Sequence, residues 1–167
     1  MTVRAEHLCS GWGVQAERRR TDDAYGSFKV DYPIRRPEDV DLLRSPRHEI
    51  DEARTAEKLS RVQDCLGDLI GVDMDRGPAY WTWAADLSTD LGYLRGIEHF
   101  MLDMIDRPQW LHQLLGFMSA GVSQAQQQSE AAGDLGMSGH YNQAMAYAEE
   151  LDDPAANQHQ VHRRQLW

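Results

Sequence analysis

The chain has 167 residues and a formal charge of -10. That is the length of one ordinary domain, and its acidity repels phosphate backbones, which argues against nucleic acid as a partner. Apolar residues make up 41%, but no apolar run reaches the roughly 20 residues of a membrane span and no secretory leader opens the chain; the reading is a soluble, cytoplasmic protein with no membrane partner.

Residues 1–34 read as extended. Trp12 to Arg18 alternates apolar and polar side chains, Tyr25-Gly26 carries a turn signal, and Phe28 to Tyr32 alternates again, so a β-hairpin is expected. Arg18-Arg19-Arg20 is too short to reverse the overall charge, and Asp22 and Asp23 follow it; a solvated strand or turn is the plainer reading. Cys9 and Cys65 lie far apart without CxxC spacing, which suits idle thiols better than a disulfide.

Pro37 to Leu43 predicts a short helix opened by proline and acids, broken at Ser45-Pro46. Asp51 or Glu52 starts a longer helix to about Leu66, with Ala56, Leu59, Val62 and Leu66 as its buried stripe and Gly67 as its stop. Leu69 to Met74 is short and mostly apolar after a helix, as a buried parallel strand is. Gly77-Pro78 ends it, and an aromatic loop, Tyr80-Trp81-Thr82-Trp83, follows. Ser88 or Thr89 is the expected cap of the next helix.

The most strongly patterned stretch runs from Leu94 to Gly133. Ile97, Phe100, Met101, Met104 and Ile105 share one helical face, and Leu111, Leu114, Leu115, Met118, Val122 and Ala125 share another. Asp106 is the expected N-cap between them, with Pro108 in the first turn and Gly133 as the C-cap. Leu135 to Ser138 reads as a second short strand, Gly139 to Asn142 as a loop, and the chain from Glu149 onward as a loose tail. Strands alternating with helices predict an α/β fold with a parallel sheet. A (β/α)8 barrel takes about 250 residues, so the chain fits roughly half of one.

The chemistry-bearing clusters are small. His99 and Asp103 lie four apart on one helix, but two ligands do not make a metal site, and a solvated helix face is the plainer reading. His159 and His162 have zinc-like spacing in a polar tail and are discounted in the same way. No GxGxxG, GxxxxGK[ST] or GxSxG occurs. The loop from Tyr80 to Trp83 either lines a pocket for a flat ligand or covers the core. The candidate binding residues are Arg76, Trp81, His140, Tyr141 and Asn142; in a barrel, active-site groups sit on loops after strands.

The runs Leu94-Arg95-Gly96-Ile97-Glu98, Met101-Leu102-Asp103-Met104 and Asp106-Arg107-Pro108 resemble a segment of uroporphyrinogen decarboxylase-like proteins. Trp12-Gly13, Asp51 to Thr55, Gly67-Asp68, Tyr147 to Leu151 and Arg164 to Trp167 agree in the same order. The resemblance implies a (β/α)8 barrel with its pocket at the C-terminal face. It implies a parent acting as a decarboxylase on a tetrapyrrole, or as a methyltransferase on a methylated compound in a corrinoid-dependent system. The arginine-bearing segment that holds substrate carboxylates in the decarboxylases has no counterpart here. The methyltransferases' histidine-and-cysteine zinc motif is also absent, so no cofactor is expected in this chain; zinc or a corrinoid partner would belong to a full-length methyltransferase relative. No family catalytic residue carries over. The expectation is one partial domain over 1–167, with a hairpin at 1–34, barrel units at 35–148 and a tail at 149–167. The alternative is a non-catalytic, truncated α/β module that works through self-association or a partner.

Overall fold

The computed structural model describes residues 1–9, 11–20, 27–80 and 86–135. In chain order the elements are strands β1 (Thr2–Arg4), β2 (Glu17–Arg20) and β3 (Phe28–Asp31), a 3-10 helix (Pro37–Leu42), helix α1 (Glu52–Leu66), strand β4 (Asp73–Asp75), and helices α2 (Leu87–Arg95), α3 (Ile97–Asp106) and α4 (Pro108–Ala132). The fold is mixed, with much helix and two small sheets. Two compact units divide it: Met1–Ser10, Arg47–Trp81 and Ser123–Trp167 form one, Gly11–Pro46 and Thr82–Val122 the other. Among the described residues no helix is long and apolar enough to cross a membrane.

The first unit is built on β1 and β4, which pair in parallel, Val3 opposite Met74. The sequence places the strand at Leu69–Met74; it starts four residues later, at Asp73, and Leu69 is 78% exposed. Its partner is the N-terminus, where Val3 and Ala5 are buried. Parallel strands need a long crossover, and α1 lies within it. Asp51 caps α1, its carboxylate accepting from the Arg54 N–H at 3.0 Å. The expected stripe is not buried as a whole: Ala56 is exposed, Leu59, Val62 and Leu66 are half-buried, and Thr55 is the buried residue. Thr55 is held there because its hydroxyl accepts from the Glu6 N–H at 3.0 Å. Tyr80, Ala125 and Leu135 complete this unit's apolar core.

In the second unit β2 and β3 form an antiparallel hairpin, Arg18 opposite Val30. The first strand is shorter than the alternation from Trp12 suggests, because Trp12 is drawn into the core: its indole N–H donates to Asp90 at 2.7 Å and its ring lies 6.0 Å from that of Phe117. Asp86, not Ser88 or Thr89, caps α2; it accepts from the Ser88 N–H and from both hydroxyls. Asp106 is not the N-cap of α4 but the last residue of α3. Arg107 takes that place, its carbonyl accepting from the Leu111 N–H at 3.1 Å, and Pro108 follows in the first turn, where a missing N–H costs nothing. At the far end Gly133 has φ +73°. The Asp134 N–H reaches the Ser129 carbonyl and the Gly133 N–H the Glu130 carbonyl, a Schellman stop that only a residue tolerant of positive φ closes cheaply.

Leu111, Leu114, Met118 and Val122 bury the stripe of α4 in this unit. The stripe of α3 does the reverse. Ile97, Met101, Met104 and Ile105 are all more than half exposed, as is the neighbouring Leu102, and Phe100 is half-buried. The helix buries Asp103 instead, which corrects the solvated-face reading at that residue, while His99 is exposed. Of the strand expected at Leu135–Ser138 only Leu135 is described, buried and outside regular structure, and the tail from Glu149 lies outside the described residues. Cys9 and Cys65 are free thiols.

Candidate functional site at the ends of the parallel strands

Both strands of a parallel pair deliver the chain to the same end, and in α/β folds ligands gather at the carboxyl ends. Here those ends lead to His7 after β1 and Arg76 after β4. The segment before α1 contributes His48, and the Schellman turn after α4 contributes Asp134. All four belong to the first unit.

Asp134 is the hub. One carboxylate oxygen meets His48 Nε2 at 2.8 Å, and the other accepts from Arg76 Nε at 2.6 Å. Arg76 turns its remaining fork to Glu52, with contacts of 3.0 and 2.5 Å. A bidentate guanidinium–carboxylate pair of this geometry is strong and orienting. Arg76 is therefore held charged by Glu52 first and Asp134 second. The Glu52 carboxyl is in turn held below its usual value by its hydrogen bond to Arg76. The backbone N–H of His48 donates to Gln128 Oε1 at 2.9 Å, which fixes the residue further.

The unspent polar atoms belong to the imidazoles. His48 has a side chain only 3% exposed, and its Nδ1 has no partner among the described residues. His7 lies beside it, ring centroids 5.7 Å apart, and both of its ring nitrogens are buried and unpartnered. Burial holds the His7 pKa below its ordinary value, helped by the nearby His48 and Arg4 and opposed by Asp75. A carboxylate on one imidazole nitrogen fixes ring orientation and tautomer, leaving the other nitrogen to accept a proton. The arrangement can thus move a proton at His48 Nδ1. It is poorly suited to gripping an anion through Arg76, because two carboxylates already occupy that guanidinium.

Among the described residues no group of three or more His, Cys, Asp or Glu is placed to hold a metal ion. His99 and Asp103, the pair weighed as ligands, face different partners: His99 lies edge-on to Tyr32 with centroids 6.4 Å apart, and Asp103 binds Arg95. Of the candidate binding residues, Arg76 lies in the cluster. Trp81, His140, Tyr141 and Asn142 lie outside the described residues, as do His159 and His162. The sequence reading passes over His7, His48 and Asp134, and takes Glu52 only as a helix start. The available signal is the N-terminus: read as the partner strand, Thr2–Arg4 points at once to His7 as a residue of a strand-end loop.

In comparisons of the chain with models of protein families, with curated proteins and with solved structures, nothing matches.

Proposed function

We propose that this chain carries barrel units of a uroporphyrinogen decarboxylase-like protein whose parent acts on a carboxylated tetrapyrrole or a methylated compound, and that it contributes to binding that compound through the strand-end loops that hold His7, His48, Arg76 and Asp134. The observation that carries the reading is the parallel β1–α1–β4 arrangement with polar side chains gathered at its carboxyl end. It adds to the resemblance around Leu94 to Pro108. In this reading Asp134 orients His48, His48 moves the proton, and Arg76 and Glu52 brace Asp134. The test is titration with uroporphyrinogen or a stable carboxylated porphyrin, read by tryptophan fluorescence. Saturable quenching without carbon dioxide release is expected, weakened at least about tenfold in Asp134→Asn because the imidazole loses its orientation. No saturable quenching by any carboxylated porphyrin would remove the decarboxylase form of the reading, and a matching methyl-transfer assay decides the other form.

A second reading, a non-catalytic module that self-associates, is favoured by one observation: the apolar face of α3 stands in solvent. Contiguous exposed apolar surface marks an interaction site more often than not. A second copy of the chain is the proposed occupant, and light scattering tests it.

A further inference from the structure

His7 and His48 meet in a seam of the first unit, where the chain leaving β1 runs antiparallel to the chain entering α1. His7 bridges Ile50. The Leu8 N–H donates to the Glu49 carbonyl at 2.9 Å, and the Asp51 N–H donates to the Glu6 carbonyl at 2.8 Å. Asp51 is also the cap of α1, so the seam ties the start of that helix to the end of β1. Three ring nitrogens lie buried in it without partners among the described residues: His7 Nδ1, His7 Nε2 and His48 Nδ1. The Gly77 backbone lies near His7 but outside the geometry of a formed bond. Unpaired buried polar atoms are costly, and native folds hold few of them without a reason.

We propose that the His7–His48 pair is an acid-sensitive lock on this seam, closed while the His7 ring is neutral and released when it takes up a proton. The inference stands apart from the family reading, because it needs only the packing of these two rings.

The charged groups around His7 leave little to stabilise a second positive charge. On its own segment stand Arg4 and Glu6, and Glu6 is engaged by Lys58 of α1 at 2.6 Å. The entry to α1 brings His48, Glu49, Asp51 and Glu52, with Arg54 on the first turn. Asp51 is spent on the helix cap, Glu52 on Arg76, and Glu49 accepts from the Cys9 thiol. From the end of β4 come Asp75 and Arg76, and after α4 comes Asp134, which is shared between His48 and Arg76. Asp75 is the carboxylate that chiefly favours a charged His7, with Glu6 coupled to the same ring, and the Asp75 Oδ1 already accepts from the Gly77 N–H at 2.9 Å. Burial and the cations outweigh it. The sign follows. The open chain takes up the proton more readily than the closed seam, so closure is fully stable above the ordinary histidine pKa of about 6.5. It weakens as pH falls below that value.

The experiment is nuclear magnetic resonance of the whole chain, with ring titration of His7 and amide exchange at about pH 7.5 and about pH 5, corrected for intrinsic rates. His7 should remain neutral below the ordinary histidine value. The Leu8 and Asp51 amides should lose about tenfold or more of their protection at the lower pH. The Ile34 amide, bonded to the Leu94 carbonyl in the second unit, serves as the internal control and should not change with them. In His7→Phe the seam amides should stay protected at both pH values. A His7 ring that titrates at or above the ordinary value, or seam amides equally protected at both pH values in the wild-type chain, would overturn the lock. These wild-type measurements decide the matter even where His7→Phe does not fold.

Discussion

Helices α3 and α4 carry the same signal in sequence and fold in opposite senses. In α4, Leu111, Leu114, Met118, Val122 and Ala125 recur at helical spacing, and all are buried. In α3, Ile97, Met101, Met104 and Ile105 recur in the same way, and they are 67, 54, 56 and 80% exposed. The buried residue of α3 is Asp103, at 1%. Arg95 explains the reversal. Its Nε and one terminal nitrogen meet the two Asp103 oxygens at 2.7 and 3.2 Å, while its other terminal nitrogen donates to the Ile34 and Arg35 carbonyls. Arg107 adds a third donor to Asp103 at 3.1 Å, and the Arg95 guanidinium lies over the Trp110 ring. A buried carboxylate survives only with full pairing of this kind. Periodicity identifies an apolar face; it does not say which face is turned inward when a charge competes for the same interior.

The contrast is broken most severely at Leu114. Leu114→Asp puts an unpaired carboxylate where the side chain is 1% exposed, a cost of several kcal/mol that rivals the stability of a whole domain. The variant should lose its cooperative melt by circular dichroism. Leu102→Asp, the same chemistry on α3, should melt within a few degrees of wild type. A wild-type melting temperature for Leu114→Asp would mean that the α4 stripe is not core.

Next in size is the ion pair. Asp103→Ala leaves Arg95 buried without its counter-charge, at a cost of about 3–5 kcal/mol, and adding Arg95→Met should recover part of it. The pH dependence has a fixed sign. Burial raises the Asp103 pKa, but the hydrogen bond and charge of Arg95, then those of Arg107, outweigh it and hold the carboxyl below its ordinary value. Its stabilising contribution is therefore present above the unfolded value of about 3.9 and lost as pH falls through the lower folded value. Melting temperatures measured from neutral pH downward should drop steeply there in the wild type and more gently in Asp103→Asn. Parallel curves would assign the acid sensitivity to other groups.

Gly96 sets the angle at which α3 leaves α2. It has φ +86°, and a Cβ built there would stand 2.6 Å from Cε2 of Tyr32. Gly96→Ala should cost about 1–3 kcal/mol through backbone strain alone, with the clash added. Gly92→Ala is the matched control. Its Cβ would meet Ile97 at an ordinary 3.6 Å, and alanine inside a helix is favoured by about 0.5–1 kcal/mol, so this variant should melt slightly higher than wild type.

Several elements were legible because local signals decided them. Asp51 with Arg54, Pro108, and Gly133 with its following turn are caps whose chemistry lies within a few residues, and α1 and the end of α4 stand where those caps place them. The parallel strand was legible in kind but not in place. Leu69 and Ile70 look like core and are exposed, while Asp73–Asp75 pairs through its backbone with Thr2–Arg4. Pairing of strands far apart in sequence leaves no local mark. The candidate site follows the same rule. Arg76 could be singled out beside a strand end, but His7, His48 and Asp134 converge only through that pairing and through the turn after α4. The burial of Asp103 was illegible for a related reason: its partner, Arg95, sits eight residues back, on the other side of the Gly96 bend.

The smallest effect on stability tests the reversal most directly. Ile105 is 80% exposed, so Ile105→Glu removes almost no buried surface and should change the stability of the folded chain by no more than about 0.5 kcal/mol. If the apolar face of α3 is where a second copy sits, a carboxylate at Ile105 has to be desolvated on both sides of a two-fold contact, since an isologous interface presents each change twice. Association should then weaken by at least about tenfold while the melting curve of the dilute protein stays put. Light scattering across a concentration series separates the outcomes. Wild type should grow in mass with concentration, Ile105→Glu should stay monomeric, and Lys29→Glu, on an exposed position of the hairpin, should behave as wild type. A wild-type chain that stays monomeric at high concentration would leave α3 facing solvent by virtue of Asp103 and Arg95 alone, and the self-association reading would fall.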